Sequence, residues 1–305
     1  MPELPDVTVY CEALRPRVVE GGRRLQRLRI ISPFILRSTD PSPETLESRR
    51  VVAVSRIGKR IVLEFENDLF LVLHLMIAGR LRWFDAPARA SKPPRIVLAT
   101  LDFDSGILWI TEAGTTKRAS LHIVQGRDAL ASFARGGLDV LTCSPAAFAS
   151  ALRSENRTLK RALSDPRLFD GIGNAYSDEI LHAARLSPLA LTSRLTDEES
   201  SRLHAAARDT LSHWIDRLRR DFGLDHPPGR FPGPGEITAF RPGFAVHGRF
   251  GLPCPVCNAP VQRIVYSENE TNYCARCQTG GKVLADRSLS RLLKDDWPRT
   301  IEEWE

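Results

Sequence analysis

Two pairs of cysteines, Cys254-Pro255-Val256-Cys257 and Cys274-Ala275-Arg276-Cys277, restrict what this chain can become more than any other stretch of it. Their spacing, CxxC-x16-CxxC, is that of a four-thiolate structural zinc site. Each CxxC turn can aim two sulfurs at one metal, and sixteen intervening residues suffice for a β-hairpin that returns the chain. A closed four-cysteine site keeps no open position for catalysis, so a single zinc ion should shape the hairpin and do no chemistry. A disulfide pair or a redox motif is the rival reading; two matched pairs at this distance favour tetrahedral coordination. Between the pairs, VQRIVYSENETNY alternates apolar and polar residues, with Ser267-Glu268-Asn269-Glu270 as the expected turn. Arg263 and the turn residues are placed either to reach a phosphate backbone or simply to be solvated. The other cysteines, Cys11 and Cys143, stand alone and read as small buried hydrophobes.

At 305 residues the chain can bury a real core and should hold two or three units. Forty-three Lys and Arg against thirty-seven Asp and Glu leave a net charge of +6, which suits a nucleic-acid partner only if the excess is clustered. No apolar run approaches the roughly 20 residues that cross a bilayer, and the N-terminus lacks the basic-then-apolar order of a signal peptide. The expectation is a soluble, cytoplasmic protein without a membrane partner.

The first residues, MPELPDV, place prolines at positions 2 and 5, which leaves no room for a regular helix or strand to begin there. The plain alternative for Pro2-Glu3 is a helix start with an acidic first turn. TVYCEALRPRVV then has helical spacing, and short apolar runs follow: RLRII, RRVVAVSRI, KRIVLEF, LFLVLHLMI, GRLRWF, RIVLATLDF and GILWIT. Bounded by turn residues, they predict a β-sandwich with an N-terminal helix over 1–137. From there PAAFASALRSEN, TLKRALSD, AYSDEILHAARL and TDEESSRLHAAARDTLSHWIDRLRRDF show a 3.6-residue period, which predicts a helical domain over 144–224. Thr196 and Glu199 form a capping box at its last helix. DHPPGRFPGPGEITAFRPGF, with five prolines and four glycines, predicts a long loop and linker at 225–247. The cysteine finger takes 248–281, and a tail with the amphipathic stretch SLSRLLKDDW takes 282–305. The fold class is α+β and multidomain, and there is no internal repeat.

One turn stands out. Gly171-Ile172-Gly173-Asn174 lies between two helical segments, where glycines allow close backbone approach and the amides opening the next helix suit a phosphate. Asn174 could cap that helix or bond the same phosphate, although most such turns merely end a helix.

Taken together, MPELPDV, GKRIVLEF, HLMIAGRL, LKRALSDPRLFDGIGNAYSDEIL, VHGRFGLPCPVC and NYCARCQ resemble the formamidopyrimidine-DNA glycosylase/endonuclease VIII family of base-excision repair enzymes. The resemblance implies an N-terminal β-sandwich, a helix–two-turn–helix domain and a zinc hairpin, acting as a monomer on double-stranded damaged DNA in a bacterial-type, nucleoid-associated cytoplasm. It also implies a bifunctional DNA glycosylase and abasic-site lyase. Aminopeptidase removal of Met1 would leave Pro2 with a free secondary amine, the family's nucleophile. An α-amino group titrates near ~8 against ~10.4 for lysine, so a usable fraction is unprotonated at neutral pH. Glu3 matches the family's proton shuttle at the sugar ring oxygen, and Lys59 its phosphate-binding sandwich lysine. Asn174 and Lys160 match phosphate contacts of the helical domain. His74, Ile77, Arg118, Arg263 and Asn269 complete the DNA-facing candidates, and the cysteines hold structural Zn2+.

Three departures from the family pattern restrict the substrate. The hairpin-tip position of enzymes acting on oxidised purines, usually arginine, falls on Asn269. The intercalating Met, Arg and Phe set is not preserved: Met76 or Ile77 takes the methionine position, and TEAGTTKRASL offers Lys117, Arg118 and Leu121. The loop at 225–243 stands where some relatives cap the oxidised purine, with a different sequence. Weak activity on 8-oxoguanine opposite cytosine is therefore expected. The alternative is a non-catalytic or lyase-only binder of damaged or unusual DNA on the same fold, and a zinc-finger transcription factor leaves MPELPDV unexplained.

Overall fold

Pro5 does not keep the N-terminus from becoming helical. Helix α1 (Leu4–Val18) takes it into the first turn, where the missing N–H has no intrahelical acceptor to lose, which corrects the expectation that regular structure starts beyond it. The N-cap is Glu3: its N–H donates to Asp6 Oδ2 at 2.8 Å and its carboxylate accepts in return from the Asp6 amide, a reciprocal capping box. Pro16 falls in the last turn, and the helix ends at Val18.

The computed structural model describes residues 1–87, 93–266, 269–285, 292 and 298–304. It divides into two compact units, Met1–Arg135 with Trp214–Thr238 and Gly136–His213 with Ala239–Glu305.

The first unit is a β-sandwich. One antiparallel sheet has the order β1 (Leu25–Ile30), β6 (Val97–Phe103), β7 (Gly106–Glu112), β5 (Gly79–Asp85). The other has the order β2 (Val51–Ile57), β3 (Arg60–Phe65), β4 (Leu69–His74), β8 (Ser120–Gln125). Leucines of both sheets, Leu63, Leu71 and Leu73 from one and Leu81, Leu101 and Leu108 from the other, meet Val7, Leu14 and Val18 of α1 in one core. The unbroken apolar run LFLVL of β4 has its reason in burial on both faces: Leu71 and Leu73 enter that core, while Phe70 and Val72 turn outward under Leu130 and Phe133 beside helix α2 (Arg127–Ala131). Strand β8 and α2 are elements the apolar runs do not announce.

The proline-rich stretch has no helix or strand through 238 but is far from loose. The last turns of the helix Asp197–Phe222 put Leu218 and Phe222 into the sandwich core, and Arg219 grips Glu12 of α1 through two bonds of 2.9 and 2.7 Å. Beyond it, Arg17 donates to the Pro228 and Gly229 carbonyls at 2.9 and 2.8 Å. Phe231 packs against Tyr10 and Trp83, and Ile237 is fully buried in the core. Prolines suit such a strap because its contacts to α1 and the core run through carbonyls and side chains, while its few N–H bonds, such as Arg230 to the Phe222 carbonyl at 2.7 Å, fall on other residues.

A tight turn, Leu75–Ala78, joins β4 to β5. Met76 adopts the left-handed region at φ +53°, unusual for a bulky residue. The Gly79 N–H closes the turn on the Leu75 carbonyl at 2.9 Å, and a Cβ on Gly79 would lie 2.2 Å from that same oxygen. Gly79→Ala must therefore push the turn open; we expect a loss of about 2–3 kcal/mol in a urea-unfolding measurement, and a loss under about 0.5 kcal/mol would contradict this placement.

The second unit holds α3 (Pro145–Arg153), α4 (Leu159–Leu163), α5 (Asn174–Ala183) and the first turns of α6 (Asp197–Phe222). The Thr196–Glu199 capping box is formed, with bonds of 3.0 and 3.1 Å. Strands β9 (Val261–Tyr266) and β10 (Asn269–Cys274) make the hairpin, followed by α7 (Ala275–Thr279). Ser267 and Glu268 of the expected turn, the side chain of Asn269 and nearly all of SLSRLLKDDW lie outside the described residues. Cys11 is buried as expected, whereas Cys143 is only half-buried, 3.8 Å from His204 Nε2. Among the described residues no helix is long and apolar enough to cross a membrane.

Candidate active site and metal centre

The N-terminus is not a free end: Pro2, Glu3 and Asp6 are all buried. Burial above all, then Arg80 and Lys59 nearby, hold the terminal amine below its ordinary range, while Glu3 and Asp6 push the other way. Lys59 reaches this position because Gly58-Lys59 is the two-residue hairpin between Ile57 and Arg60; Gly58, at φ +60°, takes the left-handed conformation the tight turn requires. Arg80 lies on β5 directly after the Met76 turn and donates to the Ile77 and Gly79 carbonyls at 3.0 and 2.7 Å. The Met1 amine, the Glu3 carboxylate two residues on and two cations thus share one patch around Pro2. Such a patch can keep an amine unprotonated and attract a phosphate.

His74 closes β4 beside this patch, its Nδ1 against the Met76 sulfur. Burial first, then Arg60, Lys59 and His122, push it down to about 4, so it is neutral at pH 7 and offers a hydrogen bond, not a charge. A histidine depressed in the folded state adds stability above its unfolded pKa near ~6.5, and that contribution is lost as pH falls from there toward 4. Ile77 stands 57% exposed on the turn, as a wedge needs. Arg118 is also exposed, and its backbone is fixed from beneath: buried Glu112 accepts from the Arg118 and Ala119 amides at 2.9 and 3.1 Å. Lys117, the other cation of that loop, is turned back onto the Glu112 and Gly114 carbonyls.

In the second unit, α5 presents a polar stripe. Asn174, at its first position, donates through Nδ2 to the Glu270 carbonyl of β10 at 2.9 Å, so its amide side chain joins the glycine turn to the hairpin. Lys160 is drawn inward: its ammonium donates to Asp178 at 2.5 Å and to the Asn174 carbonyl at 2.6 Å, so it orders the turn from below. Asp178 also meets His247 Nδ1 at 2.7 Å and accepts from the Asn272 amide at 3.2 Å. Glu179 accepts from three successive amides, Ala245, Val246 and His247, at 2.7 to 2.9 Å; burial pushes its carboxyl up, and these bonds act against that. Because the Asp178 side chain has no exposure, Lys160→Met should cost about 3 kcal/mol in chemical denaturation; an unchanged midpoint would mean the pair is not closed in solution. Arg263 lies over the Phe250 ring, 4.2 Å from its centroid, and pairs with Glu270 at 3.3 Å on the surface.

The four cysteine sulfurs all lie within 4.8 Å of one another, with Cys254–Cys277 at 3.9 Å and Cys257–Cys274 at 3.3 Å. Tetrahedral Zn–S bonds of ~2.3 Å need sulfurs roughly 3.8 Å apart, so the cluster fits zinc, and the protein carries a structural Zn2+ site. His182 of α5 puts Nε2 3.3 Å from Cys254 Sγ, a hydrogen bond that ties the metal shell to the helix. Sequence reading missed Arg80, Asp178, Glu179, His182 and His247. Only His182 left a trace, as a polar residue at an otherwise apolar position of its helix.

A sandwich that buries Pro2 and Glu3 at its N-terminus, a helix–two-turn–helix and a four-cysteine hairpin define a DNA repair glycosylase. Residues 1–116 match the formamidopyrimidine-DNA glycosylase N-terminal domain, 140–220 its H2TH domain and 251–280 the zinc finger found in FPG and IleRS. The chain belongs to the formamidopyrimidine-DNA glycosylase family. It is 35% identical over 292 residues to the formamidopyrimidine-DNA glycosylase of Thermus thermophilus, covering 92% of this chain and all of that one. An uncharacterized formamidopyrimidine-DNA glycosylase-like protein of Mycobacterium tuberculosis is 42% identical over 158 residues, 52% of this chain and 94% of that one. The crystal structure of the Thermus thermophilus MutM (Fpg) protein superposes with a TM-score of 0.73 at 30% identity, covering 91% of this chain and 98% of that one. The Lactococcus lactis Fpg in complex with abasic-site DNA has the same fold, with a TM-score of 0.76 at 23% identity over 91% of this chain and 99% of that one.

Proposed function

We propose that Pro2, once Met1 is removed, is the nucleophile of a bifunctional glycosylase and abasic-site lyase acting on double-stranded damaged DNA. The observation that carries this is the setting of the chain terminus: Pro2 is buried next to Glu3, and burial, Arg80 and Lys59 depress the Met1 amine that precedes it. The Pro2 nitrogen attacks the sugar C1′ as the bond to the damaged base breaks, and the base leaves with a proton. Glu3, held by Asp6, gives a proton to the ring oxygen as the ring opens to an iminium. That cation acidifies the C2′ hydrogen; its loss expels the 3′-phosphate, and a second elimination releases the 5′-phosphate. Lys59 holds a phosphate beside the reacting sugar, and Ile77 and Arg118 enter the gap left by the extruded nucleotide. Asn174, ordered by Lys160, binds a backbone phosphate at the glycine turn, with Arg263 and Asn269 reaching the DNA from the hairpin. The protein acts as a monomer in a reducing, bacterial-type cytoplasm on the nucleoid, where the four thiolates keep their metal. The metal supplies shape alone.

Borohydride added to processed protein and abasic-site DNA should give a covalent adduct in high yield, with peptide mass spectrometry locating it on Pro2. No adduct would leave a DNA-binding protein on a glycosylase fold.

A further inference from the structure

Past residue 280, where the match to the zinc-finger family ends, the chain keeps hold of the finger. The edge that receives it is fixed first. Gly281, at φ +90°, donates to the Ala275 carbonyl of α7 at 3.0 Å, and the Leu284 amide donates to the Tyr273 hydroxyl of β10 at 2.7 Å. Residues 299–301 then run antiparallel to 281–283, with Lys282 opposite Thr300. The Val283 amide donates to the Arg299 carbonyl at 2.9 Å and the Ile301 amide to the Gly281 carbonyl at 2.8 Å. A helical turn, Ile301–Trp304, closes the segment, and its Glu303 accepts from the Arg299 amide at 2.6 Å.

The side chain that this pairing delivers is Ile301, which has no exposure at all. It enters one core with Val246, Val261, Tyr273 and two of the metal ligands, Cys254 and Cys274. A module this small has few apolar groups to bury, so one isoleucine is a large share of its core. Charge adds little, since Arg276 and Glu302 meet at 3.7 Å with both side chains exposed. Two backbone bonds alone would open readily in water, and the buried isoleucine is what keeps them closed. The ligands that share its core are also the best covered: Cys254 and Cys274 are 2% and 0% exposed, whereas Cys257 and Cys277 are half-buried. Thiolates give up zinc when water or a competing ligand reaches a sulfur, and the apolar shell around a site controls that access.

We propose that residues 299–301 are a clasp on the zinc finger, which seats Ile301 in the core beside Cys254 and Cys274 and sets how slowly the finger releases its metal. Zinc gives the hairpin its shape, and the clasp keeps the zinc there. Opening it requires only that the two backbone bonds and Ile301 part from the finger, with β9 and β10 still paired.

The test uses full-length, zinc-loaded protein and the chelator 4-(2-pyridylazo)resorcinol, whose colour reports zinc as it leaves. Ile301→Ala should release zinc roughly tenfold faster than the wild type, and Ile301→Val, which keeps most of the side chain, about two- to threefold faster. Val54→Ala opens a cavity in the sandwich core instead and should release zinc at the wild-type rate. Wild-type release from Ile301→Ala would overturn the proposal, as would an equal acceleration by Val54→Ala, because release would then follow general unfolding. Should Ile301→Ala fail to fold, Ile301→Val decides: a rate equal to the wild type overturns the clasp. Amide exchange of the unaltered holo-protein gives a readout without substitution. The Val283 and Ile301 amides should exchange as slowly as those of Gly251 and Cys254, which bond the Val261 and Ala259 carbonyls inside the finger. Exchange of Val283 and Ile301 at the rate of an unstructured chain would show the clasp open and overturn the proposal.

Discussion

Protein that keeps any residue ahead of Pro2 is expected to excise damaged bases at least ~10³-fold more slowly than processed protein, with DNA affinity changed less than about threefold. The reason is electronic: an acylated proline nitrogen shares its lone pair with the carbonyl and cannot attack C1′, while the surfaces that hold DNA are untouched. Single-turnover excision, measured before and after an aminopeptidase removes the extension, checks it. Equal rates would transfer the nucleophile elsewhere. The same comparison has a pH signature. Burial, Arg80 and Lys59 hold the terminal amine below its ordinary range, and Pro2 lies inside that environment. Because only the unprotonated amine attacks, activity should survive to lower pH than an exposed α-amine allows and fall as pH drops through the depressed pKa. Lys59→Met removes one of the cations responsible, so it should shift that acid limb to higher pH besides weakening phosphate binding.

Stripping the metal is expected to have the second large effect, and it should spread beyond the finger. Structural zinc contributes on the order of 10 kcal/mol to a module of this size, so the hairpin unfolds without it. Residues of α5 rely on the folded finger and its approach: Asn174 bonds the Glu270 carbonyl, Asp178 meets His247 and Asn272, Glu179 holds three amides, His182 bonds Cys254. Unfolding leaves Glu179 without its three amide donors and Asp178 with Lys160 alone, at a site built for their burial. We expect DNA affinity to fall roughly 30-fold and amide protons of α5 and the glycine turn to lose protection from exchange. Metal analysis should find one zinc per chain. An apo-protein whose α5 exchanges as slowly as that of the holo-protein would show the finger to be independent.

How much of this the amino-acid order carried is clearest at particular residues. The zinc ligands were legible because a metal demands four thiolates at short, fixed intervals, and the strands because a buried strand such as LFLVL must be apolar on both sides. Pro2 and Glu3 became candidates through resemblance alone; composition would have left them as a helix start. Pro5 was misread since a proline rule for helix interiors was applied to a first turn, where it does not hold. The loop expected at 225–247 has no helix or strand, but its packing through Arg17, Phe231 and Ile237 was not legible, because such contacts leave no periodic pattern. Lys160, which the resemblance matched to a phosphate contact, meets Asp178, eighteen residues away, a pairing no local pattern announces. Local order thus determined what depends on neighbours along the chain: helix and strand periods, caps, metal spacing. Tertiary structure alone decided which charges meet, as with Lys160 and Asp178. Electrostatic energy depends on distance and solvent exposure across the fold, and neither is written in the spacing of residues.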